Sequence, residues 1–286
     1  MSLKNPTYIF FGTGYFAEPL LNHLKTLNFL PSYIVTSPDK PSGRHQIMTP
    51  PRVKIFAEEN DIPIFQPAKL KSEESMTELR KIIDGAEGVV IADYGKMLPQ
   101  ILLDLSPTGF INIHPSLLPE YRGPTPVHAT ILNNNPKTGV TLIKIDALMD
   151  HGPIIAQEPV FIDETIWPLP IDQLYEILAK KSAELLAHVL PEYLTGNVTP
   201  REQDHDKATI VKFIDKADAE VHPLTDSIAD IYLKFQAYKL WPGIFFMNNG
   251  KRVKIKDMNG AEILRVTPEG KPELDYKEYV KYHPLA

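Results

Sequence analysis

Gly88-Val-Val-Ile-Ala92 and Gly109-Phe-Ile-Asn-Ile-His114-Pro115 decide the fold. The first is a continuous apolar run, as expected of a central strand buried on both faces of a parallel sheet. The second is a short strand in which alternation puts Asn112 and His114 on one face. Pro115 ends it, so His114 stands at the strand's C-terminal end. Ligands of open parallel α/β sheets bind in the crevice outside those ends. An amide and an imidazole therefore share the place where a substrate would lie. Val140 to Ile145 reads as another strand, and Asp150 after it brings a carboxylate toward the same crevice. An amide that holds an oxyanion, an imidazole that moves protons and an assisting carboxylate suit acyl transfer. For His114 alone, the plain alternative is a polar residue at a loop boundary.

Working outward, Tyr8-Ile-Phe-Phe11 is a first buried strand and Gly12-Thr-Gly14 a turn. Phe16, Leu20, Leu24 and Leu27 follow at helical spacing. Tyr33 to Thr36 is a second strand, and Ser37 to Pro51, rich in Pro, Gly and polar residues, a loop. Helices are expected at Val53 to Asn60, Glu73 to Ile83 and, shorter, Pro99 to Leu105, with a short strand at Ile62 to Phe65. A long amphipathic helix from about Ile171 to Tyr193 closes the region. Strands alternating with helices give a doubly wound, Rossmann-like α/β domain over residues 1–194. Residues 195–207 read as a linker. Over 208–286 one helix precedes short alternating segments joined by Asn248-Asn-Gly250 and Asn259-Gly260 turns. A small OB-like β-barrel is expected there.

The 286-residue chain has no cysteine, which excludes disulfides, thiolate metal sites and a thiol nucleophile. Its N-terminus lacks the layout of a signal peptide. No apolar run approaches the roughly 18 residues that span a bilayer. A cytoplasmic protein with no membrane partner is the expectation. A net charge of −6 argues against nucleic-acid binding by the whole surface and leaves room for local basic patches. His23, His128, His188 and His283 lack ligand spacing and read as structural, and Asp146 as a loop anchor.

His114-Pro-Ser-Leu-Leu-Pro119-Glu-Tyr-Arg-Gly123-Pro-Thr-Pro126, then Thr138-Gly-Val-Thr141 and Asp150-His-Gly-Pro153, resembles the folate-dependent formyltransferases. That family's motifs run Asn-x-His-x-Ser-Leu-Leu-Pro, Arg-Gly, Thr-Gly-Val-Thr and Asp-x-Gly, and all stand here in order. The resemblance implies formyl transfer from 10-formyltetrahydrofolate to an amine, with no metal. Asn112 would hold the formyl oxygen, protonated His114 would stabilise the oxyanion, and Asp150 would help take the amine proton. Val89 to Pro99 is similar to the family's folate-lining stretch. It implies folate contacts at Ala92, Asp93 and Tyr94, joined by Ser116, Leu117, Leu118 and Pro119. The family's Gly-Thr-Pro-Asp-Phe-Ala corner reads Gly12-Thr-Gly-Tyr-Phe-Ala17 here. It keeps Phe16, expected at the substrate, and lacks the carboxylate.

Pro38 to Lys54 resembles the loop that methionyl-tRNA formyltransferases insert after the second strand. It implies phosphate contacts by Lys40, Arg44 and Arg52; a solvated surface loop is the alternative. Leu240-Trp-Pro242 resembles the Pro-Trp-Pro near the start of their C-terminal barrel. The acceptor so implied is initiator methionyl-tRNA, served by a monomer, for translation initiation. Lys251, Arg252, Lys254 and Lys256 form a basic ribbon that suits RNA contact or a solvated strand edge equally. Three rivals remain. A sugar-nucleotide N-formyltransferase would share the catalytic set. A nicotinamide-dependent oxidoreductase would rest on Gly12-x-Gly14-x-x-Ala17 with Asp39. A non-catalytic RNA-binding module would leave Asn112, His114 and Asp150 without a role.

Overall fold

The computed structural model describes residues 5–42 and 46–285. The first elements are β1 (Tyr8–Gly12), α1 (Ala17–Thr26), β2 (Tyr33–Val35), β3 (Lys40–Ser42), β4 (Ile47–Thr49), α2 (Arg52–Glu59), β5 (Ile64–Phe65) and α3 (Glu73–Asp84). Then come β6 (Gly88–Ala92), α4 (Gln100–Leu103), β7 (Phe110–His114), α5 (Pro126–Leu132), β8 (Lys137–Lys144), β9 (Ile154–Phe161) and α6 (Ile171–Leu194). The C-terminal part adds α7 (Ile228–Ala237), β10 (Phe245–Asn248), β11 (Lys251–Met258), β12 (Ile263–Pro268), β13 (Leu274–Asp275) and α8 (Tyr276–Tyr282).

Seven strands form one sheet in the order β5-β2-β1-β6-β7-β8-β9. The pairs from β5 to β7 are parallel, and β8 runs antiparallel to β7. This is the mixed, parallel-dominated α/β architecture expected of the alternating strands and helices. β1 and β6, apolar throughout, are buried at every position. One core cluster joins Ile9, Phe11, Val89, Ile91 and Phe110 to Leu79, Ile82 and Ile83 of α3. The Phe11 ring meets Tyr94 edge-on at 5.3 Å and Phe110 at 5.8 Å. Each such side chain contributes about 1.5–3 kcal/mol when fully buried. Gly88 admits Leu194 of α6, whose methyl carbons would stand 3.2 and 3.3 Å from a Cβ there.

The chain passes from β1 outward to β2 and β5, then returns to β6 on β1's other side. The topological switch point therefore lies between β1 and β6. β7 lies next, with Ile91 of β6 level with Asn112. On its other side Asn112 is level with Ile143 and His114 with Thr141.

The expected loop after β2 is ordered differently. β3 and β4 pair as an antiparallel hairpin, Lys40 level with Thr49 and Ser42 with Ile47. Both strands are exposed, so no buried face marks them in the sequence. In the C-terminal region, β10 to β13 form an antiparallel sheet in chain order. Asn249 and Gly250 join β10 to β11 with φ of +50° and +74°. Positive φ at both central residues is what a tight two-residue hairpin turn requires. β11 buries Val253, Ile255 and Met258 and exposes Lys251, Arg252, Lys254 and Lys256. The chain divides into two compact units. One comprises residues 1–124, 139–160 and 175–210; the other comprises 125–138, 161–174 and 211–286.

Candidate active site

β7 is buried at every position but the half-buried Asn112, and strand alternation sets Asn112 and His114 on one face. Asp150 reaches that face from the loop between β8 and β9. Asn112 Nδ2 donates to Asp150 Oδ1 at 3.0 Å. The Gly123 backbone N–H donates to Asp150 Oδ2 at 2.8 Å. The same oxygen lies 3.6 Å from His114 Nδ1, an ion-pair distance rather than a hydrogen bond. His114 Nε2 is 2.9 Å from the Tyr121 carbonyl oxygen. A carbonyl only accepts, so Nε2 carries a proton and Nδ1 is the nitrogen turned to Asp150. Asp150 has φ of +49°, an uncommon conformation for a residue other than glycine. Its loop folds back tightly: Lys144 N–H donates to Pro153 O at 3.0 Å, and Gly152 lies against the Lys144 carbonyl.

The loop after β7 is pinned by Thr141. Its hydroxyl donates to Ser116 O at 2.6 Å and accepts from Leu118 N–H at 3.1 Å and from Gln157 Nε2 at 2.9 Å. Gln157 also donates to Leu118 O at 2.8 Å. A Cβ on Gly139 would meet Leu117 Cδ2 at 2.4 Å, so glycine there lets Leu117 lie on β8. The physical content of Thr138-Gly-Val-Thr141 is thus a strand that fixes Ser116 to Leu118. Ser116 is buried, its hydroxyl donating to Glu120 O at 2.7 Å. Tyr94 is buried as well, and its hydroxyl finds no hydrogen-bond partner among the described residues. Burial raises that phenol above its ordinary range.

The β1–α1 turn bears on the nicotinamide alternative. Thr13 and Gly14 N–H both donate to the Asp93 carbonyl, at 3.0 and 2.9 Å. Phe16 N–H donates to Asp93 Oδ2 at 3.0 Å. A Cβ on Gly14 would fall 2.0–2.4 Å from the Asp93 carboxyl atoms, so the glycine makes room for that carboxylate. Asp93 is exposed as a residue, but its carboxyl end lies packed on the Gly14 backbone. Desolvation there pushes its pKa up to about 6, against the pull of the Phe16 N–H. The N–H groups that cradle pyrophosphate in dinucleotide folds are therefore already taken, two by the Asp93 carbonyl and one by its carboxylate. Asp39 is committed too, to Lys54 at 2.9 Å and Gln66 at 2.9 Å. The Gln66 hydrogen bond, then Lys54, holds its carboxyl below the usual carboxylate range.

Asn112, His114 and Asp150 are thus brought together. Phe16, expected at the substrate, is buried and packs against Tyr175 with ring centroids 6.0 Å apart. Lys40 is exposed on β3. Arg52 donates to Glu18 at 3.1 Å and lies over the Tyr15 ring at 5.8 Å. Arg44 lies outside the described residues. Asp146 anchors its loop, accepting from Leu148 N–H at 2.9 Å and pairing with His151 at 2.6 Å. Sequence reasoning passed over Gln157, Gln203 and the role of Arg122. Only the Arg-Gly string hinted at the last. Among the described residues no cluster of potential ligands could hold a metal ion, and no helix is long and apolar enough to cross a membrane.

The model of the formyl transferase family matches residues 6–190. The chain belongs to that family. It is 40% identical to the methionyl-tRNA formyltransferase of Caldicellulosiruptor saccharolyticus, over 89% of this chain and 80% of that one. With the methionyl-tRNA formyltransferase of Thermotoga maritima it shares 38% identity, over 82% and 73%. Among solved structures, HypX from Aquifex aeolicus in complex with tetrahydrofolic acid superposes with a TM-score of 0.65 at 13% identity, over 97% of this chain and 47% of that one. A sugar N-formyltransferase from a Shewanella species gives 0.63 at 17%, over 91% and 100%. At those identities the likeness is one of fold. The family makes the chain a folate-dependent formyltransferase.

Proposed function

We propose that this chain transfers the formyl group of 10-formyltetrahydrofolate to the α-amine of methionyl-tRNA, the step that prepares it for translation initiation. The convergence of Asn112, His114 and Asp150 carries the reading, with the close methionyl-tRNA formyltransferase relatives indicating the acceptor. The amine nitrogen bonds to the formyl carbon and gives a tetrahedral oxyanion. Asn112 Nδ2 has two N–H groups; one is held by Asp150, and the other serves the formyl oxygen. His114, protonated at Nδ1, stabilises the oxyanion. Asp150 takes the amine proton, directly or through water. The bond from the formyl carbon to the folate nitrogen then breaks, and a proton returns to that nitrogen.

The fixed loop of Ser116, Leu117, Leu118 and Pro119 and the Ala92-Asp93-Tyr94 corner form the folate side, largely through backbone groups. Lys40, Arg44 and Arg52 contact the phosphates of the tRNA, helped by the Lys251–Lys256 ribbon. Residues 1–194 form the catalytic domain, 195–207 the linker and 208–286 an OB-like domain, and the protein works as a cytoplasmic monomer. The test is a formyl-transfer assay that offers charged initiator tRNA and amino-sugar nucleotides side by side. Turnover on the tRNA alone is expected. Turnover on the sugar nucleotide alone overturns the acceptor and leaves the catalytic set standing.

A further inference from the structure

We propose that Gln203 is a positioning residue for the transfer reaction. It acts through the Asp150 turn, Arg122 fixes its amide, and the inference rests on Asp150 serving in catalysis. Gln203 is buried, and both ends of its amide are engaged. Nε2 donates to the Asp150 carbonyl at 2.9 Å and to the Gly152 carbonyl at 2.7 Å. Oε1 accepts from Arg122 Nε at 3.1 Å and Nη2 at 2.7 Å. Arg122 Nη2 also donates to His205 Nδ1 at 2.8 Å, which places the neutral ring's proton on Nε2.

These bonds close a ring. Gly123, next to Arg122, gives its N–H to the Asp150 carboxylate, while Gln203 holds the backbone of that same aspartate. One amide therefore sets Asp150 from behind and, through Arg122, steadies the donor in front of it. The surrounding segment clasps both loops. Arg201 exchanges backbone hydrogen bonds with Ile154 at 2.7 and 2.8 Å, and Arg122 N–H donates to Thr209 O at 2.8 Å. Tyr121, whose carbonyl orients His114, gives its own N–H to Thr209 Oγ1 at 2.7 Å. A left-handed aspartate persists only where its surroundings over-determine it, and the two carbonyl bonds from Gln203 supply that constraint. Groups that orient a working residue in this way often cost ten- to a hundredfold in activity when removed.

Gln203→Glu keeps the size and an acceptor for Arg122 but turns a carboxylate toward two carbonyl oxygens. We expect kcat to fall about ten- to a hundredfold with the KM for 10-formyltetrahydrofolate unchanged within about twofold. The double variant Asp150→Asn/Gln203→Glu should be as slow as Asp150→Asn alone, within about twofold, because Gln203 then has nothing left to position. Should Gln203→Glu fail to fold, Arg122→Lys carries the test. It keeps the cation and loses the planar fork, and its kcat loss should likewise vanish in the Asp150→Asn background. Wild-type kcat in Gln203→Glu beside a crippled Asp150→Asn overturns the role of Gln203 alone. So do losses that multiply in the double variant. A wild-type rate in Asp150→Asn overturns the catalytic assignment itself, a distinguishable failure.

Discussion

Gly152→Ala places one methyl group where the Asp150 loop turns back on its strand. A Cβ at Gly152 would stand 1.9 Å from the Lys144 carbonyl oxygen, 3.1 Å from its carbon and 3.4 Å from the Asp146 amide nitrogen. All three are backbone atoms, so no side chain can swing aside. Cβ atoms essentially never approach within 3.0 Å of such atoms. The loop must therefore retreat by about 1 Å, since overpacking is relieved by shifts of the backbone. Asp150 sits two residues away and is held to Asn112 at 3.0 Å. A retreat of that size breaks the bond and widens the 3.6 Å separation from His114. Misplacing a reacting constellation by about 1 Å costs on the order of a hundredfold in rate. The overpacking itself costs about 1–3 kcal/mol of stability. The assay is steady-state formyl transfer to charged tRNA, with a thermal melt of the same preparation. Gly85→Ala is the control: its nearest atoms would stand at 3.6 and 3.8 Å, and its φ is −85°. A Gly152→Ala enzyme with wild-type kcat and an unshifted melt would refute the reasoning.

Asn112→Ala, His114→Ala and Asp150→Ala should each lower kcat about a hundredfold or more while the fold survives; near-normal turnover in any one removes that residue from the mechanism. Asp93→Asn should change how stability follows pH. The folded state binds the Asp93 proton more tightly than the unfolded one, with pKa about 6 against 3.8. The wild type therefore loses stability as pH rises through that window, and the loss persists above it. The asparagine still accepts from Phe16 N–H, so the variant should gain on the wild type between pH 4 and pH 7. Equal differences in urea midpoint at both pH values would contradict this. Replacing Lys40, Arg44 and Arg52 together should reduce the salt slope of tRNA binding, by roughly one unit for each phosphate no longer neutralised. Arg52 should contribute less than the others, because Glu18 already holds it. An unchanged slope would remove these three side chains from the proposed tRNA contact.

The two residues on β7 were legible because strand periodicity alone puts Asn112 and His114 on one face, and Pro115 marks where the strand stops. The β10–β11 turn was legible for a local reason as well, since Asn249-Gly250 suits positive φ at both positions. What escaped depends on distant partners. Gln203 lies in the polar run Arg201-Glu-Gln-Asp-His-Asp-Lys207, and nothing nearby in the chain says its amide is buried. β9 carries Gln157, Glu158 and Pro159 in its middle, which obscures any alternation. α5 is short and begins in Pro124-Thr-Pro126, a string that reads as loop although Pro is welcome in a first helical turn. The β3–β4 hairpin has no buried face to pattern it.

The direction of β8 explains why Asp150 needs so many supports. Were β8 parallel to β7, the segment after it would emerge level with His114 and Pro115. Antiparallel, β8 ends beside the start of β7: Lys144 is level with Ile111, and Ile145 N–H donates to Phe110 O at 2.8 Å. The loop that follows must double back over the face of β7 to reach Asn112. Doubling back requires Gly152 against the strand end and a left-handed Asp150, and neither is stabilised by the strand itself. Asn112 and His114 inherit their positions from the sheet, whose ladder bonds fix the pleat. Asp150 inherits its position from Gly123, Gln203 and Gly152, which lie in separate stretches of the chain. The asymmetry has a kinetic consequence. Substitutions at Gly123, Gln203 and Gly152 should act on the reaction mainly through Asp150, so their effects should merge with that of Asp150→Asn and not multiply with it.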